Sequence, residues 1–235
     1  MIHGVLASRY GITGVLGSAR QRAAGGGWWD DNGAISGCVA AYQAVGVADY
    51  ATSKVNLANP GTYNITEGKA PAWDTDNGWK FDGSTNSYYL KTGVIPSSLT
   101  WTAIIRYSDF VSELAYAAIY YAQTTGPTKG FGIQKTNFRF ANGGRVAVAG
   151  LDTFPSSAVF AVANRSIYRD GALLASNIPE DDGVPNTDVY LGVANQNGGP
   201  DGATYIKAYI KAVSFYDNEL TLAQIATETT AMNAL

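Results

Sequence analysis

Between residues 205 and 216 the chain reads YIKAYIKAVSFY, with Ile206, Ala208 and Ile210 alternating with Tyr205, Lys207, Tyr209 and Lys211. A period of two is that of a strand with one face buried and the other in water. After Ile210 the large apolar residues Val213 and Phe215 fall on the opposite parity. Keeping them on the buried face requires one extra residue, a bulge near Ala212 that bends the strand. The strand ends at Asp217-Asn218. From Leu220 the pattern turns helical, with Leu220, Ile225 and Leu222 on one side, Thr221 or Asn218 as the cap and Glu228 facing solvent.

Further strands are expected at 38–43, 78–82, 99–107, 115–121, 130–134, 137–140, 146–149, 158–162 and 166–168. They recur about every ten residues with Gly, Pro, Asn or Asp between them, which is the rhythm of a β-sandwich. The loops 178–188 and 195–202 are polar, acidic and rich in Gly and Pro, and form the expected rim.

Composition agrees with that pattern: 27 Gly, 15 Tyr and only 15% charged residues suit many strands joined by tight turns. A length of 235 residues holds one all-β domain and a small appendage. The net charge of −3 gives no general attraction to nucleic acid or to an anionic membrane, and neither partner is expected. Cys38 is the single cysteine, so no intrachain disulfide forms, and it is expected to be an inert core residue. No stretch has the apolar length of a membrane span, and the first residues lack the pattern of a secretory signal; synthesis in a host cytoplasm is expected.

Residues 1–32 read as an extended arm. Arg9, Arg20 and Arg22 stand in it with no acid before Asp30, and Gly25-Gly26-Gly27 supplies a hinge before Trp28-Trp29. The arm's apolar residues, among them Ile2, Val5, Leu6, Ile12, Val15 and Leu16, are too many for a solvated tail. A docking partner, such as a neighbouring subunit, is therefore expected. Trp28 and Trp29 either cover the bottom and an edge of the sandwich or make an assembly contact.

Four short motifs follow one another in order: Trp79-Lys80-Phe81-Asp82-Gly83-Ser84 with Tyr89-Leu90, Ile167-Tyr168-Arg169-Asp170-Gly171, Val189-Tyr190-Leu191-Gly192, and the closing strand with Tyr216 and Leu220. In this order they resemble the FDG…YL strand pair, the YxDG hairpin and the last strands of laminin-G-like, concanavalin A-type jelly rolls, with Ala208 where that pattern has Gly. The resemblance implies an all-β, antiparallel jelly-roll β-sandwich over 33–235, with a short C-terminal helix and the extended N-terminal arm. Gly25-Gly26-Gly27-Trp28-Trp29, Cys38 to Gln43, Asn56 to Gly61, Pro71-Ala72-Trp73 and Gly78 to Phe81 are similar to concanavalin A-like proteins encoded among structural genes of tailed phages and proviruses. That likeness implies a virion setting and carries no catalytic residues.

The residue inventory argues against an enzyme. The five glutamates show no E-x-D-x-E spacing of the kind that places two carboxylates on one strand face, and the single histidine, His3, lies in the arm. The resemblance implies one calcium ion at the rim, for which Asp82 and Asn86 are the first candidates and Asp181, Asp182, Asp188 and Asp201 match by type. The favoured reading is that Asp82 shapes a turn and the rim acids are solvated, so no cofactor is expected. For sugar stacking and hydrogen bonding, Trp73, Tyr88, Tyr205 and Asn195 are the candidates.

The expectation is thus a non-enzymatic virion structural protein of a tailed phage. It would be displayed on the particle surface as a capsid decoration or fibre component, tethered to other virion proteins by its arm (Arg9, Arg20, Arg22, Trp28, Trp29), as a homo-oligomer. The alternative is a receptor-recognition module that binds a cell-surface glycan.

Overall fold

The computed structural model describes residues 26–84, 88–111, 118–124, 129–134, 154–177 and 184–235. The strands expected at 137–140 and 146–149 lie outside the described residues. In chain order the first strands are β1 (Cys38–Gln43), β2 (Thr66–Lys69), β3 (Ala72–Asp74), β4 (Gly78–Asp82), β5 (Tyr89–Lys91), β6 (Thr102–Ser108), β7 (Ala118–Thr124) and β8 (Lys129–Gln134). They continue with β9 (Ala158–Ala163), β10 (Ser166–Arg169), β11 (Ala172–Ala175), β12 (Tyr190–Leu191), β13 (Ala194–Gln196), β14 (Gly199–Pro200) and β15 (Lys207–Tyr216). The helices are α1 (Tyr50–Ser53) and α2 (Leu222–Asn233).

The strands form two sheets, and the chain has the expected all-β sandwich with a short C-terminal helix. The first sheet runs β11-β10-β9-β6-β15-β4-β3, with β1 also on β15; the second runs β14-β13-β7-β12-β5-β2, with β8 also on β7. Between the sheets lies the main core, where Trp79, Phe81, Tyr107, Phe160, Ile210, Val213 and Phe215 are all buried. Both β4 rings therefore point inward, and Trp79 Nε1 donates to Ser53 Oγ at 2.9 Å, so its one polar atom is satisfied. The β4 and β5 segments that resemble a strand pair are not hydrogen-bonded to each other: β4 pairs with β15 and β3, whereas β5 pairs with β12 and β2 in the other sheet. The β10–β11 hairpin is as expected, turning at Asp170 (φ 51) and Gly171 (φ 79). Two successive positive φ values are what a tight hairpin turn of the right twist needs.

Strand β15 lies at the centre of the first sheet. Along one edge it pairs with β6 from Tyr209 to Tyr216, and the register breaks between Ile210 and Ala212, making Lys211 the extra residue. On its other edge β15 changes neighbour at the same place. Residues Lys207 to Ile210 pair with β4, and residues Ala212 to Tyr216 pair with β1, with Ala44 N donating to Lys211 O at the join (2.8 Å). Gly78 closes that corner at φ 88, where a Cβ would stand 2.4 Å from Ile210 O. Only glycine tolerates both the backbone angle and the approach.

Beyond the bulge, the outward face of the sheet is apolar and covered. Ile104, Val159, Ala161, Ala163, Ala212 and Tyr216 meet Leu220 and, from α2, Ile225 and Met232 in a second core. Each fully buried large side chain there contributes on the order of 1.5–3 kcal/mol. The helix starts with a capping box, Gln224 N donating to Thr221 Oγ1 and Thr221 N donating to Gln224 Oε1. Leu222 is exposed, and Glu228, expected in water, is fully buried beside Ile225 and Met232. Positions 225, 228, 229 and 232 share one helical face, and it is the face turned to the sheet. Tyr216 donates its hydroxyl to Trp29 O at 2.8 Å, and Trp28 packs on this second core with its ring edge-on to Trp29 at 5.8 Å. The segment from Trp28 to Gly33 thus lies against this chain's own sandwich.

Candidate functional site

Before the bulge, the outward face of the first sheet is open. Strand alternation turns Lys80 and Asp82 of β4, Lys207, Tyr209 and Lys211 of β15, and Arg106 and Ser108 of β6 away from the main core. The C-terminal end of α2 stops above this region, and Arg106 Nη1 donates to Met232 O at 2.9 Å. A cation at the last turn of a helix satisfies an otherwise unpaired carbonyl and suits the helix dipole. In the angle between the helix end, the bulge and the β10–β11 turn is a hollow of about 210 Å³.

Five parts of the chain line it. Strand β6 contributes Arg106, Tyr107 and Ser108; the start of β9 contributes Ser157 and Ala158; the hairpin turn contributes Asp170; the bulge and the end of α2 contribute Lys211 and Asn233. Asp170 is held rigidly, because one carboxylate oxygen accepts from Val159 N at 2.9 Å while its own N–H donates to Val159 O at 2.8 Å. The Arg106 guanidinium is half-buried, and that burial draws its pKa below the usual arginine value. Tyr107 is a core residue whose hydroxyl donates to Pro155 O at 3.2 Å, and burial pushes its pKa up. Tyr209 lies one strand step from the hollow, in register with both Ser108 and Lys80, and its half-buried ring has Lys80 Nζ 5.7 Å from its centroid.

The residues expected from the sequence do not gather on one surface. Asn195 is not a rim amide: it is fully buried, donating to Asp188 O (2.7 Å) and Asp188 Oδ1 (3.0 Å) and accepting from Gly198 N (2.8 Å). Tyr205 is also buried, in a small cluster with Tyr190 and Val193. Both side chains are thus packed within the chain, away from an open rim. Trp73 is half-buried on edge strand β3, donating Nε1 to Ala44 O at 2.6 Å with its ring against Tyr50. Tyr88 is half-buried beside β5, under Lys69 Nζ at 5.2 Å. Asp82 is exposed and accepts from Ser84 N and Ser84 Oγ, which shapes a turn. Asn86, Asp181, Asp182, Arg9, Arg20 and Arg22 lie outside the described residues. Among the described residues no group of three or more His, Cys, Asp or Glu side chains is arranged to hold a metal ion. Cys38 is half-buried at the edge of the second core.

Solved structures of similar fold include Trypanosoma rangeli sialidase in complex with 2,3-difluoro-KDN, with a TM-score of 0.57 at 16% identity over 84% of this chain. The same sialidase in complex with sialic acid gives a TM-score of 0.56 at 17% identity. This chain covers 33% of those sialidase chains, about a third of their length. Domain 4 of AbnA, a GH43 extracellular arabinanase from Geobacillus stearothermophilus, in complex with arabinotriose, matches with a TM-score of 0.51 at 13% identity, over 82% of this chain and 98% of that one. The likeness is one of fold, the two-sheet sandwich that the concanavalin A-like resemblance implied. No protein-family model and no curated protein matches the chain.

Proposed function

We propose that this chain is a non-catalytic saccharide-recognition module, with the hollow beside Lys211 as its site. The observation that carries the reading is the hollow itself, where Arg106, Ser108, Ser157, Asp170, Lys211 and Asn233 bring donors and acceptors together one strand from the Tyr209 ring. Saccharide sites combine such convergent polar groups with a flat apolar face. A non-catalytic role is supported by the lining: Asp170 is its one carboxylate, whereas hydrolysis by a carboxylate pair requires two. Tyr107, the one phenol in the lining, is engaged with Pro155 O. The similarity in fold to an arabinanase domain solved with arabinotriose supports the same reading, and the reading requires no cofactor. A glycan array probed with the full chain tests it. Reproducible hits that weaken in Tyr209→Ala are expected, without release of reducing ends; an array with no hits overturns it.

The setting we propose is the surface of a tailed-phage particle, with residues 1–27 joining the module to other virion proteins in a homo-oligomer. The motif resemblance supports this, as does the docking of Trp28 and Tyr216-bound Trp29, which gives the preceding chain a fixed point of departure. Removal of residues 1–27 is expected to leave a folded module that no longer joins particles. Full occupancy by the truncated chain would exclude the tether.

A further inference from the structure

The open half of the first sheet has a charge balance opposite to that of the chain. The whole protein carries a net charge of −3. The outward positions of β4, β15 and β6 before the bulge hold four cations, Lys80, Lys207, Lys211 and Arg106, against one carboxylate, Asp82. Among the described residues, Arg106 spends one N–H on Met232 O, and its other donors have no partner. The bulge matters because it sets Lys211, an extra residue in β15, next to Arg106 of β6 at the mouth of the hollow. Asp170 offsets part of this charge, and Lys211 also acts on Asp74 of β3, so the excess is local. It is centred on the Arg106–Lys211 pair.

From this we infer that the saccharide taken by the module is acidic, a carboxylate-bearing sugar whose charged group sits between Arg106 and Lys211. The inference rests on the saccharide reading above and specifies its ligand. A guanidinium offers a carboxylate two parallel N–H donors and an ammonium adds a point charge, a pairing stronger than neutral hydrogen bonds. The neighbouring ring of the same saccharide lies on Tyr209, one strand further across the sheet. Beyond it Lys80 is level with Tyr209 and Ser108, two strand spacings across and two residues along from Arg106, roughly 12 Å, where a second acidic unit meets a second cation. A neutral oligosaccharide fits the ring and the hydroxyl partners but leaves the two cations at the hollow unmatched. A polyanion of another kind matches the cations but makes no use of Asp170, Ser157 and Asn233 as partners for hydroxyls.

Titration of the full chain with an oligogalacturonate, arabinotriose and a short single-stranded DNA tests this directly. The oligogalacturonate is expected to bind about tenfold or more tightly than arabinotriose, and to weaken as salt is raised. Lys211→Gln is expected to remove most of that preference by weakening the oligogalacturonate far more than arabinotriose; Lys211 is half-exposed, so the variant keeps the fold. Arg106→Gln is expected to do the same, with circular dichroism reporting whether α2 still docks. Equal binding of the two sugars, insensitive to Lys211→Gln, overturns the acidic ligand and leaves the saccharide module standing. Binding of neither sugar overturns both. DNA binding as tight as that of the oligogalacturonate, lost in the same variants, overturns the saccharide class.

Discussion

The two halves of β15 share one strand, one sheet and one inner core, yet their outer faces differ completely. From Ala212 to Tyr216 the outer positions are Ala, Ser and Tyr, closed beneath α2 and the Trp28–Gly33 segment. From Lys207 to Lys211 they are Lys, Tyr and Lys, open beside the hollow. The switch falls at the one-residue bulge, where β4 gives way to β1 as the neighbouring strand. A closed half whose outer side chains are all buried bears on stability, and an open half built from cations and an aromatic ring bears on recognition. Substitutions in the two halves should therefore separate the two properties.

The largest effect is expected in the closed half. Tyr216→Ala removes a fully buried ring together with its bond to Trp29 O, and should cost about 3–5 kcal/mol in urea denaturation. A loss under about 1 kcal/mol would mean that this layer is dispensable.

Next comes Glu228, whose carboxyl is fully buried on the helix face turned to the sheet. Burial raises its pKa to about 8, with the Tyr216 hydroxyl opposing and the charges of Asp30 and Asp31 reinforcing. A carboxyl with a raised folded-state pKa contributes its full stability below its unfolded value of 4.5, and that contribution is lost as pH rises to about 8. Wild-type stability should therefore fall by on the order of 2–4 kcal/mol between those pH values, and Glu228→Gln should flatten the slope. An unchanged slope in the variant would place the titrating group elsewhere.

Smaller still is Thr221→Ala, which removes the cap of α2 and should cost about 1 kcal/mol. Smallest is Lys211→Gln in the open half, where stability should change by less than about 0.5 kcal/mol. A larger change would show that the bulge cation holds the fold.

Much of this contrast was legible in the sequence. The parity break between Ile210 and Val213 identified the bulge, because a buried face tolerates no slip of one residue. Asp170-Gly171 identified its hairpin for an equally local reason, the left-handed angles that a tight turn requires. Glu228 was misplaced because its charge was weighed above its spacing, although 225, 228, 229 and 232 already shared a helical face. Asn195 and Tyr205 stood in a polar, Gly-rich stretch that reads as a surface loop. Their burial follows from partners at Asp188 and Tyr190 that only the fold brings close. The hollow was invisible for the same reason. Its residues come from positions 106–108, 157–158, 170, 211 and 233, and no local pattern unites them. Lys207, Tyr209 and Lys211 were already on the outward face in the sequence, but the role of that face depends on where α2 ends.

The most direct test of the open half as the recognition surface is amide chemical-shift mapping of the full chain with a bound oligosaccharide. Shifts should concentrate at Ser108, Asp170, Tyr209 and Lys211, and leave Asn195, Tyr205 and the closed half unmoved. Shifts centred on residues 195–205, with none at the bulge, would contradict the assignment of the site.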